Sequence, residues 1–235
     1  MLPMAPESVA DRLQRIRERI AAAARRAGRD PSSVTLVGVS KTVEAARVRE
    51  AIEAGLLDLG ENRVQEARDK APLLPGAVLW HLVGHLQANK ANQAARLFQV
   101  VHSIDSVDLL ERLDRAAERE GRRMTVLAQA DLAGETTKFG AREEDLDRIL
   151  AAASGLRHVE MSGLMILPPY DPDPERSRPY FRRLRELLQQ ARERHAGLPL
   201  RHLSMGMTED FEVAIEEGAT HVRVGRALFG ERRAA

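Results

Sequence analysis

The chain has 235 residues, of which 36 are basic and 35 acidic, so its formal net charge is +1. A balance this close to zero argues against a nucleic-acid-binding protein that works through bulk positive charge. A hydrophobic content of 43% excludes a disordered chain. Because cysteine is absent, disulfides, thiolate nucleophiles and cysteine-bound metals are excluded as well.

The N-terminus lacks the basic start and the apolar run of a secretory signal. No apolar stretch of the sequence is long enough to span a bilayer. We therefore expect a soluble, cytoplasmic protein that contacts neither membranes nor nucleic acid.

The predicted elements begin with a helix that Ser8 can cap and Gly28 can end. Its apolar residues recur at intervals of three and four: Val9, Leu13, Ile16 and Ile20. A β-rich run at 34–40 follows, and a helical stretch at 43–54 comes next.

This alternation of strand and helix continues to the end of the chain. The eight predicted strands are 34–40, 57–59, 79–83, 100–104, 124–129, 158–165, 201–204 and 221–224. Helical patterns separate the strands, including one capped by Ser106, one opened by Asp173 and Pro174, and one at 208–217.

Eight strands alternating with helices indicate an α/β protein, a TIM-type (β/α)8 barrel with an extra N-terminal helix. An open doubly wound sheet is the alternative, although the glycine-rich dinucleotide fingerprint after the first strand is missing. No low-complexity linker divides the chain, so we expect a single domain over residues 1–235. The proline-rich segment 168–174 is predicted to be a long loop on the active face of the barrel.

Lysine is scarce in this chain, and its four positions are Lys41, Lys70, Lys90 and Lys138. Lys41 follows the first strand, and the functional groups of such barrels lie at the carboxyl ends of the strands. Partial burial there favours the neutral amine, which can form a Schiff base with an aldehyde. Arginine cannot do this. An ordinary surface lysine at a strand end is the alternative interpretation.

A second group of residues is typical of a phosphate site. The segments that end the seventh and eighth predicted strands each lead into a helical turn, and these loops form the recurrent phosphate site of this fold. Glycines there would let backbone N–H groups approach an anion closely. The residues of this predicted phosphate cup are Ser204, Met205, Gly206, Gly225 and Arg226. Two ordinary strand-to-helix turns are the alternative.

An imine-forming lysine and a phosphate cup in one barrel have two general explanations. One is an aldolase acting on sugar phosphates, and the other is pyridoxal phosphate, which carries both an aldehyde and a phosphate. Arg223 lies two residues before Gly225, on the same strand face. If that face points inward, its guanidinium can donate to the pyridine nitrogen and keep it unprotonated. A structural ion pair is the alternative role for Arg223.

Four further residues are candidates for metal binding or acid–base chemistry. His81 and His85 have the spacing of a metal pair on a helix, but they lie on a strand and its exit with no third ligand evident, so no metal site is predicted. Asp105 and Asp131 follow strands and are expected to cap helices rather than to act as acid or base. The arginine-rich helices are interleaved with Glu and Asp, which indicates solvated faces.

Several segments run in order over nearly the whole chain and carry a family resemblance. They are VGVSK (37–41), GENRVQE (60–66), WHLVGHLQANK (80–90), HSID (102–105), KFG (138–140), GLM (163–165), LSMGMT (203–208) and VRVGRALFG (222–230). These segments resemble the pyridoxal phosphate homeostasis proteins. That family shares its barrel with the N-terminal domain of alanine racemase, the type III fold of pyridoxal phosphate proteins.

The resemblance implies that Lys41 carries pyridoxal phosphate covalently as an internal aldimine and that Asn62 borders it. The phosphate cup would hold the phosphate, and Arg223 would face the pyridine nitrogen. Arg226 stands where many members have Thr or Ser, so its backbone N–H and guanidinium would replace a hydroxyl contact. His85 stands where many members have Pro.

The remaining lysines receive no chemistry from the resemblance. Lys90 and Lys138 lie inside the matching segments without an assigned role. Lys70 ends a polar helix, and we expect it to be replaceable.

We expect a non-catalytic carrier or regulator of pyridoxal phosphate that serves vitamin B6 balance and contacts dependent apoenzymes transiently, with delivery, buffering and sensing of the cofactor as open alternatives. A pyridoxal-phosphate-dependent amino-acid racemase is the alternative. In the type III fold, racemisation uses a second base from a separate β-domain of a partner subunit, and the sequence shows no such domain. The same reasoning favours a monomer, and the motif match disfavours the sugar-phosphate aldolase.

Overall fold

The protein folds around a closed parallel barrel. The computed structural model describes residues 7–134 and 139–230. Each strand pairs in parallel with the next along the chain, and β8 returns to β1. The strands are β1 Thr35–Val39, β2 Asp58–Glu61, β3 Leu79–Leu82, β4 Val100–Ile104, β5 Met124–Ala130, β6 Val159–Ile166, β7 His202–Ser204 and β8 His221–Val224. This closure confirms the (β/α)8 barrel and excludes the open doubly wound sheet.

Helices cover the outside of the barrel between successive strands. Within the described residues they are α1 Val9–Arg26, α2 Ala45–Glu53, α3 Val64–Lys70, α4 Ala91–Leu97, α5 Val107–Arg119, α6 Glu143–Ala153, α7 Arg178–Arg194, α8 Phe211–Glu216 and α9 Arg226–Phe229. Across that part of the chain, none of the helices combines the length and the apolar character needed to cross a membrane.

The extra N-terminal helix is confirmed, and its start follows from local chemistry. Ser8 accepts a hydrogen bond from the Asp11 backbone N–H, and the Asp11 carboxylate accepts from the Ser8 backbone N–H, which forms a capping box. The buried face of α1 carries the predicted apolar residues and packs against α2, α8 and α9. Burying each large apolar side chain contributes roughly 1.5–3 kcal/mol.

The ends of several elements differ from the prediction, and the contacts explain two of the differences. Strand β2 extends to Glu61, two residues beyond the predicted end, because its pairing with β3 continues to Leu82. Helix α8 begins at Phe211 rather than at Thr208. The Asp210 carboxylate accepts the Met207 N–H at 2.6 Å and closes a turn there instead.

The alternation of side chains along the strands separates the barrel interior from the helix layer. A Cβ on Gly38 would lie 2.5 Å from the Leu56 side chain, so this position faces the helices. Val37 and Val39 point the other way and pack with Val83 in a small interior cluster. Gly60 also faces inward, since a Cβ there would lie 3.0 Å from Val37.

Strand β6 contains a bulge that brings its backbone against β7. The register of β5 and β6 shifts so that Val126 opposes Met161 while Leu127 opposes Gly163, which leaves Ser162 as the extra residue. A Cβ on Gly163 would lie 1.9 Å from the His202 carbonyl oxygen. Glycine is therefore required at this position by the close approach of the two backbones.

Gly163→Ala should lower the free energy of unfolding by at least about 2 kcal/mol, because the added methyl group forces β6 away from β7. Equilibrium urea unfolding measures the change. Gly76→Ala is the matched control, since a Cβ there would meet nothing within 4 Å. Equal stabilities of the two variants would contradict the assigned backbone contact.

Candidate functional site

Lys41 lies at the barrel mouth, the edge where the carboxyl ends of the strands meet. It comes two residues after the end of β1 and is half-buried. The next residue, Thr42, has a φ of 60°. This left-handed conformation is strained for a β-branched side chain, so the surrounding contacts must hold the turn in place.

Helix α3 supplies those contacts on both sides of Lys41. The Lys70 ammonium donates to the Ser40 carbonyl oxygen at 2.6 Å and to Glu61 Oε1 at 2.7 Å. Glu66 Oε2 accepts the Thr42 backbone N–H at 2.8 Å. We call Ser40, Thr42, Glu61, Glu66 and Lys70 the α3 clamp. It fixes the residues before and after Lys41 from the helix side of the barrel.

The expectation that Lys70 is replaceable is wrong. Its partner Glu61 is fully buried, and Glu61 Oε2 has no hydrogen-bond partner within the described ranges. Burial raises the pKa of the Glu61 carboxyl, while hydrogen bonds from Lys70 and Ser40 oppose that rise. Glu61 thus depends on the Lys70 ammonium to remain ionised inside the protein.

Asn62 directly follows β2, which is next to β1 in the barrel, and it is half-buried at the mouth. A Cβ on Gly84 would lie 2.3 Å from the Asn62 carbonyl oxygen. The exit of β3 therefore packs directly against the Asn62 backbone. This contact sets the position of Asn62 one strand away from the strand that carries Lys41.

His85 and Asp105 meet at the mouth rather than serving the roles considered from sequence. His85 Nδ1 lies 3.2 Å from Asp105 Oδ2, and its ring stacks on Phe139 with centroids 3.6 Å apart. The expected helix cap at Asp105 is wrong, because Ser106 caps α5 by accepting the Leu109 N–H. Burial raises the pKa of the Asp105 carboxyl, and the nearby His85 counteracts this.

Asp131 likewise does not cap a helix. Its Oδ1 accepts the backbone N–H groups of Ala133 and Gly134 at 3.1 and 3.0 Å, so it stabilises the turn after β5. Lys90 is half-buried at the start of α4. The expectation for Lys138 falls outside the described residues.

Arg223 points into the barrel, which meets the condition that the sequence interpretation left open. Its guanidinium is buried and donates from Nη1 to Ser204 Oγ at 2.5 Å and from Nη2 to the Ile166 carbonyl oxygen at 2.8 Å. Ile166 is the last residue of β6, so the guanidinium lies at the mouth end of the interior. Burial lowers its pKa to about 10.

A continuous line of hydrogen bonds leads from Arg223 to the opposite end of the barrel. Ser204 Oγ lies 2.7 Å from His102 Nδ1, and His102 Nε2 lies 2.9 Å from His81 Nδ1. His81 Nε2 lies 3.0 Å from Asp58 Oδ1, at the start of β2. We call Arg223, Ser204, His102, His81 and Asp58 the interior chain.

The chemistry of the donors gives the interior chain one direction. Arg223 can only donate, so Ser204 Oγ accepts from it, and a carboxylate can only accept, so His81 Nε2 donates to Asp58. Burial holds the pKa of the His102 imidazole well below its usual range, so this ring is neutral. With one proton on each ring, every bond of the chain has a donor when Ser204 donates to His102 Nδ1, His102 Nε2 donates to His81 Nδ1 and His81 Nε2 donates to Asp58.

Two more histidines complete a polar interior that the sequence interpretation missed. The rings of His202 and His221 meet edge to face with centroids 4.8 Å apart, and His221 lies 5.8 Å from His102. Burial lowers the pKa of both, that of His221 to about 3. A signal was available, since four of the seven histidines fall on predicted strands at inward-facing positions.

The residues of the phosphate cup lie together at the mouth but differ in what they can offer. The Ser204 hydroxyl is engaged in the interior chain, and the Met205 N–H is bonded to the His221 carbonyl oxygen. Gly206 has a φ of 93°, and a Cβ there would lie 2.6 Å from Ala214. Arg226 forms an ion pair with Glu209, which joins the loops after β7 and β8.

Comparison with known proteins gives the family. The family model described as the alanine racemase N-terminal domain matches residues 12–233. The pyridoxal phosphate homeostasis protein of Aquifex aeolicus is 44% identical over 225 residues, covering 95% of this chain and 98% of that protein. The protein of the same description from Pseudomonas aeruginosa is 43% identical and covers 96% of each chain. The chain belongs to the pyridoxal phosphate homeostasis protein family.

Solved structures agree with this assignment. PipY of Synechococcus elongatus is 39% identical, and the match covers 95% of this chain and all of PipY. The TM-score is 0.87 for PipY without pyridoxal phosphate and 0.85 for PipY with it bound. The resemblance predicted from the sequence segments is confirmed, as is the alanine racemase N-terminal fold.

The α3 clamp predicts that this family member needs Lys70 for stability. Lys70→Ala should lower the free energy of unfolding by about 2–4 kcal/mol, since it leaves the Glu61 carboxylate buried without its cation. Arg68→Ala is the control on the same helix; its exposed pair with Asp69 should contribute less than about 1 kcal/mol. Urea unfolding compares them, and adding Glu61→Gln to Lys70→Ala should restore part of the loss. Equal effects at 68 and 70 would contradict the clamp.

The neutral interior histidines predict acid sensitivity in this family member. An unfolded histidine takes up a proton near pH 6.5, but the lowered pKa values of His102, His202 and His221 keep these rings neutral when folded. Below about pH 6.5 the unfolded state therefore binds more protons, and stability falls as the pH drops. Each fully buried ring contributes at most about 1.4 kcal/mol per pH unit.

Urea unfolding between pH 7.5 and 5 measures this slope before most carboxylates titrate. His221→Gln should flatten the slope between pH 6.5 and 5, because glutamine binds no proton. An unchanged slope in His221→Gln would show that the ring is protonated in the folded protein.

Proposed function

We propose that this chain binds pyridoxal 5'-phosphate and holds it for intracellular vitamin B6 homeostasis without turnover of its own. PipY, a 39% identical relative, has been solved with pyridoxal phosphate bound. The observation that carries the proposal is the placement of an amine and a guanidinium on neighbouring strands. Val37 of β1 pairs with Arg223 of β8, so Lys41 lies at the mouth beside the strand that carries the inward-facing arginine.

The donors present fit the acceptors of this cofactor. The guanidinium of Arg223 has five N–H donors, and its two hydrogen bonds leave three without a partner within the described residues. The pyridine nitrogen is an acceptor that one of them can serve. The backbone N–H groups of Gly206 and Gly225 also lack an acceptor in that part of the chain. They can donate to a phosphate at the mouth.

Each predicted site residue then has a role in the proposal. Lys41 attaches the cofactor covalently, its amine nitrogen replacing the aldehyde oxygen, which leaves as water. Asn62 borders the cofactor on the side of β2. When bound, the cofactor supplies the aldehyde carbon and an electron-withdrawing ring. Arg223 would donate a hydrogen bond to the pyridine nitrogen and leave that nitrogen unprotonated. The ring would then withdraw electrons more weakly than it does beside a carboxylate partner, which supports holding the cofactor rather than turnover.

The proposal assigns fewer direct phosphate contacts to the phosphate cup than the sequence interpretation did. Gly206, Gly225 and the backbone of Arg226 contact the phosphate, with Ser204 and Met205 contributing their position in the strand-to-helix turn. The Ser204 hydroxyl stays in the interior chain. The Arg226 guanidinium balances the charge of Glu209 and adds less positive charge than an unpaired arginine would.

The wider setting is also proposed. One barrel domain over residues 1–235 would work in the cytoplasm as a monomer and meet dependent apoenzymes transiently. A mouth that is open to solvent would suit transfer of the cofactor to another protein. It would suit chemistry that must exclude water less well.

Covalent loading tests the proposal directly. After incubation with pyridoxal phosphate and reduction with borohydride, peptide mass mapping should find the adduct on Lys41, because only a primary amine at the mouth can attach the aldehyde. Lys41→Arg should lose the adduct while keeping the charge, and Lys90→Arg is the control that should keep it. An adduct on other lysines but not on Lys41 would overturn the assignment.

A racemisation assay over the amino acids separates the holder from the racemase alternative. The proposal expects no turnover above that of free pyridoxal phosphate. Turnover that disappears in Lys41→Arg would replace the proposed function with an enzymatic one.

A further inference from the structure

We infer that His102, His81 and Asp58 are positioning residues that orient Arg223 toward the cofactor ring from inside the barrel. The inference deepens the proposed function, because it rests on Arg223 facing the pyridine nitrogen. It assigns work to three residues, one of which lies at the opposite end of the barrel from the mouth.

The first step is the isolation of the Arg223 charge. Within residues 7–134 and 139–230, no carboxylate oxygen lies within 4.0 Å of this guanidinium. Its two acceptors, the Ser204 hydroxyl and the Ile166 carbonyl, are both neutral. The Asp210 carboxylate opposes the burial-driven fall in the Arg223 pKa only through its charge, without an ion pair. A buried cation with no carboxylate in contact is strongly unfavourable unless its acceptors are unusually good.

The second step is that the interior chain improves one of these acceptors. Ser204 donates its proton onward to His102, which donates to His81, which donates to Asp58. Successive hydrogen bonds that run in one direction polarise one another, so the Ser204 oxygen becomes a stronger acceptor. The chain ends on a half-exposed carboxylate, a negative charge that is linked to the guanidinium by hydrogen bonds, whereas Asp210 acts on it without one.

The third step is geometric. The hydrogen bonds to Ser204 and Ile166 fix Nη1 and Nη2. Because the guanidinium is planar and rigid, they also fix the direction of its remaining N–H donors. If the chain is interrupted, Ser204 can turn its proton elsewhere and the guanidinium loses its preferred orientation. The hydrogen bond to the ring nitrogen would then weaken, although Lys41 could still attach the cofactor.

A cofactor-free experiment tests the ordering of the interior chain. Histidine-labelled protein is examined by 15N NMR near pH 7, where His81 and His102 should both be neutral with the proton on Nε2. Asp58→Asn should shift the ring signals of His81 and His102 and leave those of His202 in place. A proton on His102 Nδ1, or a charged His102, would overturn the inference whether or not the cofactor binds.

A second experiment uses protein loaded with pyridoxal phosphate labelled with 15N in the ring. His81→Gln, His102→Gln and Asp58→Asn should all move the ring-nitrogen shift and should speed cofactor release roughly tenfold, as expected for one weakened charge-assisted hydrogen bond. Asp58→Glu should restore the wild-type shift. His202→Gln is the matched control, since it removes an interior histidine that is outside the interior chain.

The outcomes separate the two proposals. Full borohydride labelling of Lys41 in all variants, together with a moved nitrogen shift in the chain variants alone, supports the inference. Full labelling with a wild-type nitrogen shift in Asp58→Asn and His81→Gln overturns it and leaves the proposed function intact. Wild-type protein that acquires no label on Lys41 overturns the proposed function and the cofactor role of the interior chain with it.

Discussion

The pairing of β8 with β1 is the constraint on which the site depends. These strands are the first and the last of the barrel in chain order. In an open sheet with the same strand order, Lys41 and Arg223 would therefore lie on opposite edge strands. Closure sets Val37 beside Arg223 and brings the two cationic side chains to the same mouth. It also encloses the guanidinium, so the interior must provide polar partners for a charge that water can no longer reach.

Only one side of the barrel interior provides these polar partners. One side is apolar and contains Val37, Val39 and Val83, as barrel interiors usually do. The other side carries four histidines with Ser204 and Arg223. Burial keeps His102, His202 and His221 neutral, so these rings add donors and acceptors without adding charge. Neutral rings of defined tautomer can connect a cation at one end of the barrel to a carboxylate at the other.

Lys41 and Lys70 show that the few lysines of this chain occupy their positions for different reasons. Lys41 is proposed to be a lysine because its chemistry needs a primary amine. Lys70 is suited to its place because a compact ammonium with three donors reaches the Ser40 carbonyl and Glu61 together. The strained Thr42 is next to Lys41, and its backbone N–H donates to Glu66 on helix α3, the helix that also carries Lys70. The proposed cofactor lysine thus lies in a turn that a structural lysine 29 residues downstream holds in place.

The sequence by itself determined the barrel, the order of its elements and the position of Lys41 at a strand end. Alternating periodicity is a local property, and a position at a strand end follows from it. The same periodicity placed Arg223 on one strand face with Gly225, but it left open whether that face points inward. The roles of Lys70, Asp105 and Ser204 were decided only by the tertiary structure, because each depends on a partner distant in sequence. The interior histidines belong to this second group, since their pKa values and tautomers arise from burial and from neighbours on other strands.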